Sequence, residues 1–286
     1  WAFAVPLMLG NVLQQLYNLA DTWVVGKCIG NNALAAVGAS YTLMIFLTSV
    51  IIGLCLGSSA FIAMAYGKKN TEKIKNGIFL SFAFTALITV LLIVLFCAGL
   101  DTIIKWLRVP QETVSDMRIY LFYVFMGFFA TFIYNYISNL LRGLGNSVVP
   151  LFFLALSVVL NIALDILFVA GFQMGIAGAA VATVSGQIMA ALIVMKKGFR
   201  KSPHRQVYPH HIAKIFQLGI PNILMQSAYT FYILGLNLIL ATFSDQAVTA
   251  LGLYYKWQTF FFIPLGAMQT CIVPVISYNY AARNIE

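Results

Sequence analysis

Long stretches without a single charge recur along the chain. Residues 28–67, 76–100, 119–141, 143–164, 166–195, 215–244 and 257–282 contain no Lys, Arg, Asp or Glu. A helix that crosses a bilayer needs about 20 mostly apolar residues, and every stretch meets that length. The pattern predicts eight helices, at roughly 1–25, 34–66, 77–100, 119–140, 148–170, 175–195, 213–241 and 248–281. Several exceed the minimum, so tilt or extension beyond the bilayer is expected. The strands of a membrane barrel would alternate apolar and polar positions over about ten residues. These stretches do not alternate. The predicted fold class is an all-α polytopic membrane protein.

Composition sharpens that reading. Of the 286 residues, 61% are hydrophobic and 9% are charged. Soluble domains carry nearly three times that charged fraction, and the mean hydropathy is +0.90. An ordinary soluble enzyme, a disordered protein and a nucleic-acid-binding domain are excluded. The net charge of +9 is explained by membrane topology instead. One set of loops holds Lys68, Lys69, Lys73, Lys75, Arg142, Lys196, Lys197, Arg200, Lys201, Arg205, Lys214 and Arg283. The opposite set holds only Lys27, Lys105, Arg108 and Arg118, and Lys256 falls inside a span. Basic loops stay in the cytoplasm. That places the N-terminus, the 66–76 loop and the 196–212 loop there, in a plasma (inner) membrane. An anionic-lipid contact is a rival role for the basic 196–214 segment.

Cys28, Cys55, Cys97 and Cys271 are too scattered for a metal or redox motif and read as small buried hydrophobes. His204, His210 and His211 lie together in the basic loop, too isolated for catalysis. The chain opens on Trp1 within an apolar run, without the features of a signal peptide. It is expected to begin inside its first helix.

A weak internal repeat is present. Ala33-Leu34-Ala35-Ala36-Val37-Gly38 resembles Val248-Thr249-Ala250-Leu251-Gly252, and Lys69-Asn70-Thr71-Glu72 resembles Arg283-Asn284-Ile285-Glu286. Pro6 pairs with Pro221 and Tyr17 with Tyr232 at nearly the same offset. Helices 1 and 7 run the same way, so the copies are parallel. A parallel repeat implies a pseudo-two-fold axis along the membrane normal. The expected organisation is a first lobe over 1–195, a cytoplasmic connection over 196–212, and the first two helices of a second lobe over 213–286. Two such bundles around a cavity suit an alternating-access transporter, although channels also arise by duplication.

Acids inside spans are costly, about 2.5–3.5 kcal/mol at the bilayer centre on insertion scales. Asp21 and Asp165 are the two that lie clearly inside. Asn161 precedes Asp165 by four residues and shares its helix face. At 1.5 Å per residue, Asp165 sits about 8 Å, Thr183 about 12 Å and Asp21 about 6 Å from the outer helix ends. All four can share one layer. Two carboxylates, an amide oxygen and a hydroxyl suit Na⁺, and the same pair of acids can instead share a proton. The bland alternative makes Asp21 interfacial and Asp165 a hydrogen-bonded packing residue. Tyr17, Asn18, Gln187 and Lys256 are candidate cavity-lining residues. Pro6 is a candidate hinge, because proline removes a helical hydrogen bond, and a static kink is its competing reading. Pro150 instead begins a helix, where proline is welcome.

Leu16-Tyr17-Asn18 with Asp21, Ala33 to Gly38, Tyr66-Gly67-Lys68-Lys69-Asn70, Leu141-Arg142-Gly143-Leu144-Gly145, Pro150, Asn161-Ile162-Ala163-Leu164-Asp165 and Gly175 to Thr183 occur in that order. Together they resemble the multidrug and toxic compound extrusion (MATE) family over essentially the whole chain. The resemblance implies twelve helices in two six-helix lobes, of which this chain carries eight. It implies antiport of cationic or amphipathic organic compounds against Na⁺ or H⁺, with neither a cofactor nor enzymatic activity. It implies a cation site at Asp21, Asn161, Asp165 and Thr183, and bending of the first helix at Pro6. The expected partners are small organic cations and the lipid bilayer, with no nucleic acid and no obligate protein partner. The alternatives are a flippase for lipid-linked oligosaccharides, which would line its cavity with several cations, and, less favoured, a channel.

Overall fold

A computed structural model of the chain describes residues 4–106, 111–198 and 208–284. Among these residues there are helices and no strands. They are α1 (Ala4–Cys28), α2 (Asn31–Gly67), α3 (Thr71–Ala98), α4 (Leu100–Trp106), α5 (Gln111–Gly143), α6 (Val148–Asp165), α7 (Gly175–Gly198), α8 (Pro209–Ala241) and α9 (Asp245–Ala282). A π-helical turn, Ile166–Gly171, extends α6.

Eight long helices occupy the eight expected places. The short α4 was not expected. Among the described residues, six helices are long and apolar enough to cross a membrane: α2, α3, α5, α6 with its π turn, α7 and the second half of α9. Polar residues hold α1 below that standard, since it carries Asn11, Gln14, Gln15, Asn18 and Asp21. α7 continues to Gly198 and α8 already begins at Pro209. The connection expected over 196–212 is therefore shorter at both ends, and most of it lies outside the described residues, as does His204. His210 and His211 belong to the first turn of α8.

α2 is the central helix. Within its most apolar stretch 72% of residues are buried, against 22% for α3 and 17% for the apolar part of α9. It packs against α3, α5, α8 and α9. Most of the largest fully buried side chains come from α2 and α5, including Leu47, Ile51, Leu54, Phe125, Phe128 and Phe132. Leucines and phenylalanines on α3 and α6 face outward instead, as expected where the solvent is hydrocarbon. The cysteines are all free; Cys55 is buried, but Cys28 is exposed at the end of α1 rather than packed inside.

The two stretches matched by the repeat share local geometry. After α2, Lys69 adopts a positive φ of 53°, its N–H donates to Tyr66 O, and the N–H of Asn70 donates to Ala65 O. After α9, Arg283 adopts a φ of 58°, its N–H donates to Tyr280 O, and the N–H of Asn284 donates to Asn279 O. Both are Schellman-type stops, built from a basic residue followed by Asn.

Candidate functional site

α1, α6 and α7 pack against one another, and small residues let them close. A methyl group on Gly186 of α7 would sit 3.1 Å from Asn161 Cβ of α6. One on Gly178 would sit 3.1 Å from the Phe168 carbonyl oxygen. The Ser157 hydroxyl donates to Gly186 O at 3.1 Å and ties α6 to α7. The glycine-rich start of α7 contributes to this close approach.

The acids lie inside this three-helix packing. Asp165 is 1% and Asn161 3% exposed. The Tyr17 hydroxyl of α1 donates to Thr183 Oγ1 of α7 at 3.4 Å. Asp21, one turn after Tyr17, lies within electrostatic range of Asp165. Tyr17, Asp21, Asn161, Asp165 and Thr183 thus converge from three helices. Both Asp165 oxygens, both polar atoms of the Asn161 amide, and Oδ1 of Asp21 are buried with no protein hydrogen-bond partner. A hydrogen-bonded packing role for Asp165 is not what the structure shows. Groups left this way cost several kilocalories per mole unless a cation or proton compensates them. These oxygens are hard donors of the kind Na⁺ takes, and a carboxylate pair can equally hold a proton. No group of three or more His, Cys, Asp or Glu side chains forms a metal cluster among the described residues.

The π turn begins directly after Asp165. Such turns interrupt α-helices most often at functional positions. The apolar pattern gave no sign of it, because every residue from Ile166 to Gly171 is apolar or glycine. A further residue that the sequence reading missed is Tyr120 of α5. It is buried and lies within electrostatic range of Asp21, Tyr17 and Asp165. It stands two residues after Arg118, where interfacial tyrosines are common, so the sequence around it carries no distinguishing signal.

The other expected residues fall around this cluster. Gln187, one turn beyond Thr183, accepts a hydrogen bond from the Thr131 hydroxyl of α5. The Asn18 carbonyl accepts from Thr22 Oγ1 at 2.7 Å. Lys256 is on α9, with its side chain outside the described residues. Pro6 lies in the first turn of the described part of α1, so the backbone group it would leave free is also outside them. Pro221, its repeat partner, is inside α8. A separate open groove of about 440 Å³ is lined by Cys97, Asp101, Arg118, Phe122 and Tyr123, among others, and contains none of the expected residues.

A family model described as MatE matches residues 6–167, which span α1 through the acid-bearing α6. The chain belongs to the MatE family. It is a multi-pass membrane protein. Probable multidrug resistance protein YpnP of Bacillus subtilis (strain 168) is 31% identical over 99% of this chain and 64% of its own length. Multidrug export protein MepA of Staphylococcus saprophyticus is 26% identical over 97% of this chain and 63% of its own. A solved MOP superfamily transporter from Pyrococcus furiosus superposes with a TM-score of 0.92 at 24% identity, over 99% of this chain and 64% of that one. The chain therefore spans a little under two thirds of the length of these relatives.

Proposed function

We propose that this MatE protein is a secondary active antiporter. It exports cationic or amphipathic organic compounds in exchange for Na⁺ or H⁺ by alternating access. The observation that carries the proposal is the set of buried, unpartnered oxygens on Asp21, Asn161 and Asp165. Thr183 and Tyr17 complete their surroundings. The names of the multidrug relatives support export as the direction of transport.

In this reading the eight long helices are eight of twelve. Residues 1–195 form one lobe, 196–212 the cytoplasmic connection and 213–286 the start of a second lobe, in a plasma (inner) membrane. The matched stops after α2 and α9 support the repeat behind that organisation. A cation entering from outside neutralises the Asp21–Asp165 pair and draws α1, α6 and α7 together. Coupling requires that it bind one arrangement of the lobes better than the other. Each charge moved inward adds about 2.3 kcal/mol per 100 mV of membrane potential. Pro6 serves as the hinge of α1, and Asn18, Gln187 and Lys256 line the route.

The test uses the protein expressed from its whole gene and placed in vesicles. Export of a fluorescent organic cation is followed under an imposed Na⁺ gradient or pH gradient, for wild type and Asp165→Asn. No protein hydrogen bond ends on Asp165. The substitution therefore removes a charge and a proton site without breaking a contact of the fold. Gradient-driven export is expected to vanish while insertion stays normal. A variant that exports at the wild-type rate removes Asp165 from the mechanism. Wild-type inactivity under both gradients would favour the lipid-linked oligosaccharide flippase.

A further inference from the structure

α2 and α8 meet along two rows of residues, each spaced by four. Gly53, Gly57 and Phe61 face Gly219, Ile215 and His211 in antiparallel order. At the middle of the seam the two backbones touch. A methyl group on Gly57 would fall 2.4 Å from Ile215 O and 2.7 Å from Gly219 N, and one on Gly219 would fall 2.7 Å from Gly53 O. Ile215 is fully buried. At the end carrying Lys68, Lys69, Lys73 and Lys214, the seam closes on aromatic rings. The His211 ring centroid lies 5.0 Å from that of Phe61 and 5.1 Å from that of Tyr208. Gly77 of α3 backs the Phe61 ring, since a methyl group there would be 2.8 Å from Phe61 Cε1. Lys73 of α3 places its Nζ 5.5 Å from the Phe61 ring centroid.

We infer that His211, Phe61 and Lys73 form a proton-sensitive latch holding α8 against α2 and α3 at the basic end of the seam. A neutral imidazole packs against Phe61 with only van der Waals and ring–ring contact. A protonated one brings a second cation beside Lys73, which already occupies the neighbourhood of the Phe61 ring. The seam cannot yield locally, because the glycine contacts one turn further in are backbone to backbone. Repulsion at the latch therefore acts on the whole of α8. The Nδ1 atom of His211 is buried without a hydrogen-bond partner, so no acceptor on the protein welcomes an added proton there.

The charged groups acting on His211 are Lys73 from α3 and its neighbour His210 on α8. α2 presents Phe61, which has no charge, and the other titratable ring against His211 is Tyr208, at the start of α8. His211 precedes the apolar part of α8. Burial first, then Lys73 and His210, hold its pKa below the ordinary histidine value. The sign follows. The latched form binds the proton less well than the open form, where His211 is near its ordinary pKa of about 6.5. The latch is complete above that pH and is lost as pH falls through and below it. One proton changes the open-to-latched ratio by at most about tenfold per pH unit.

The inference rests on packing and does not depend on the antiport reading. The test measures a distance, not transport. Spin labels are placed at Thr71→Cys on α3 and Ala213→Cys on α8, in the whole-gene protein with Cys28, Cys55, Cys97 and Cys271 replaced by Ser. Both labelled positions are exposed. Distances are read by pulsed electron resonance from pH 8 to pH 5 in lipid nanodiscs. The separated population is expected to grow as pH falls below about 6.5. It should stay small at every pH in His211→Phe, which keeps a ring and cannot be protonated. In Lys73→Gln the pH response should shrink and opening should shift to lower pH, because the cation that repels protonated His211 is gone. His211→Gln guards against a folding artefact of the phenylalanine variant and should also lose the pH response. A parent distance that does not change with pH overturns the latch, as does an unchanged pH response in both His211 variants.

Discussion

Replacing Gly57 by Ala tests the backbone contact at the centre of the fold. The added methyl would stand 2.4 Å from Ile215 O, whereas ordinary contact begins at 3.4 Å, so α8 must retreat by 1.0 Å (3.4 − 2.4 Å) or α2 must shift by as much. Neither neighbour is a flexible side chain. Overpacking of this kind costs about 1–3 kcal/mol. Against it stands the better helix propensity of alanine, about 0.5–1 kcal/mol. Gly266→Ala on α9 is the matched control. Its methyl would have Asn11 Nδ2 at 3.9 Å as its nearest neighbour, so it should gain the propensity term without the clash. The difference between the two variants isolates the overpacking. At roughly 2–4 °C per kcal/mol for chains of this size, Gly57→Ala should melt about 2–12 °C below Gly266→Ala. Thermal unfolding of both proteins in one detergent, at one scan rate, gives the comparison. If Gly57→Ala melts at or above Gly266→Ala, α2 and α8 are not in backbone contact and the seam is wrong.

Three further outcomes follow from single contacts. Asn70 Oδ1 accepts from the Lys73 N–H at 2.9 Å as the N-cap of α3, so Asn70→Ala should lower stability by about 1 kcal/mol and Asn70→Asp by much less; denaturation curves that rank them equally remove the cap. The Arg118–Asp101 pair is short at 2.6 Å, but its side chains are 56% and 67% exposed, so Arg118→Ala should cost under about 1 kcal/mol, and a larger loss in the same assay would contradict that solvent screening. Asp21 and Asp165 are electrostatic neighbours, so in flux assays Asp21→Asn plus Asp165→Asn should be no worse than the worse single variant; multiplicative losses would mean that the two acids serve separate cations.

The helices were legible because lipid demands long apolar runs, and seven charge-free stretches together with the uncharged residues 1–20 mark eight of them. The acid cluster was legible for a related reason. A carboxylate inside a span is conspicuous, and Asn161 and Asp165 had to share a face at their spacing. What stayed hidden depends on neighbours rather than on local pattern. The π turn after Asp165 is made of residues that also suit an α-helix. Tyr120 joins the cluster only because α5 passes behind it. The α2–α8 contact needs Gly53 and Gly57 to be read together with Gly219, which is more than 160 residues away along the chain. α4 is only seven residues long and charged at both ends, so it has no apolar run to betray it. His211 looked like part of a basic loop, because its role depends on Phe61 in a distant helix.

The packing around Asp165 does not itself require an acid. The helices that surround it are brought close by glycines and short side chains, and an asparagine at 165 would fill nearly the same space. No described Lys or Arg acts electrostatically on Asp21 or Asp165; Lys27 and Arg142 stand at helix ends. A buried acid with a fixed basic partner would be a structural ion pair, and its removal would strand a charge. A buried acid without one destabilises the fold that contains it, unless its compensating charge arrives from outside. On the antiport proposal, two such acids on different helices are retained because that charge comes and goes. The same proposal accounts for a site built from closely packed helices rather than a preformed cage. A mobile cation that bridges α1 and α6 changes the energy of their separation, and an equilibrium between two lobe arrangements can be moved only by such a difference.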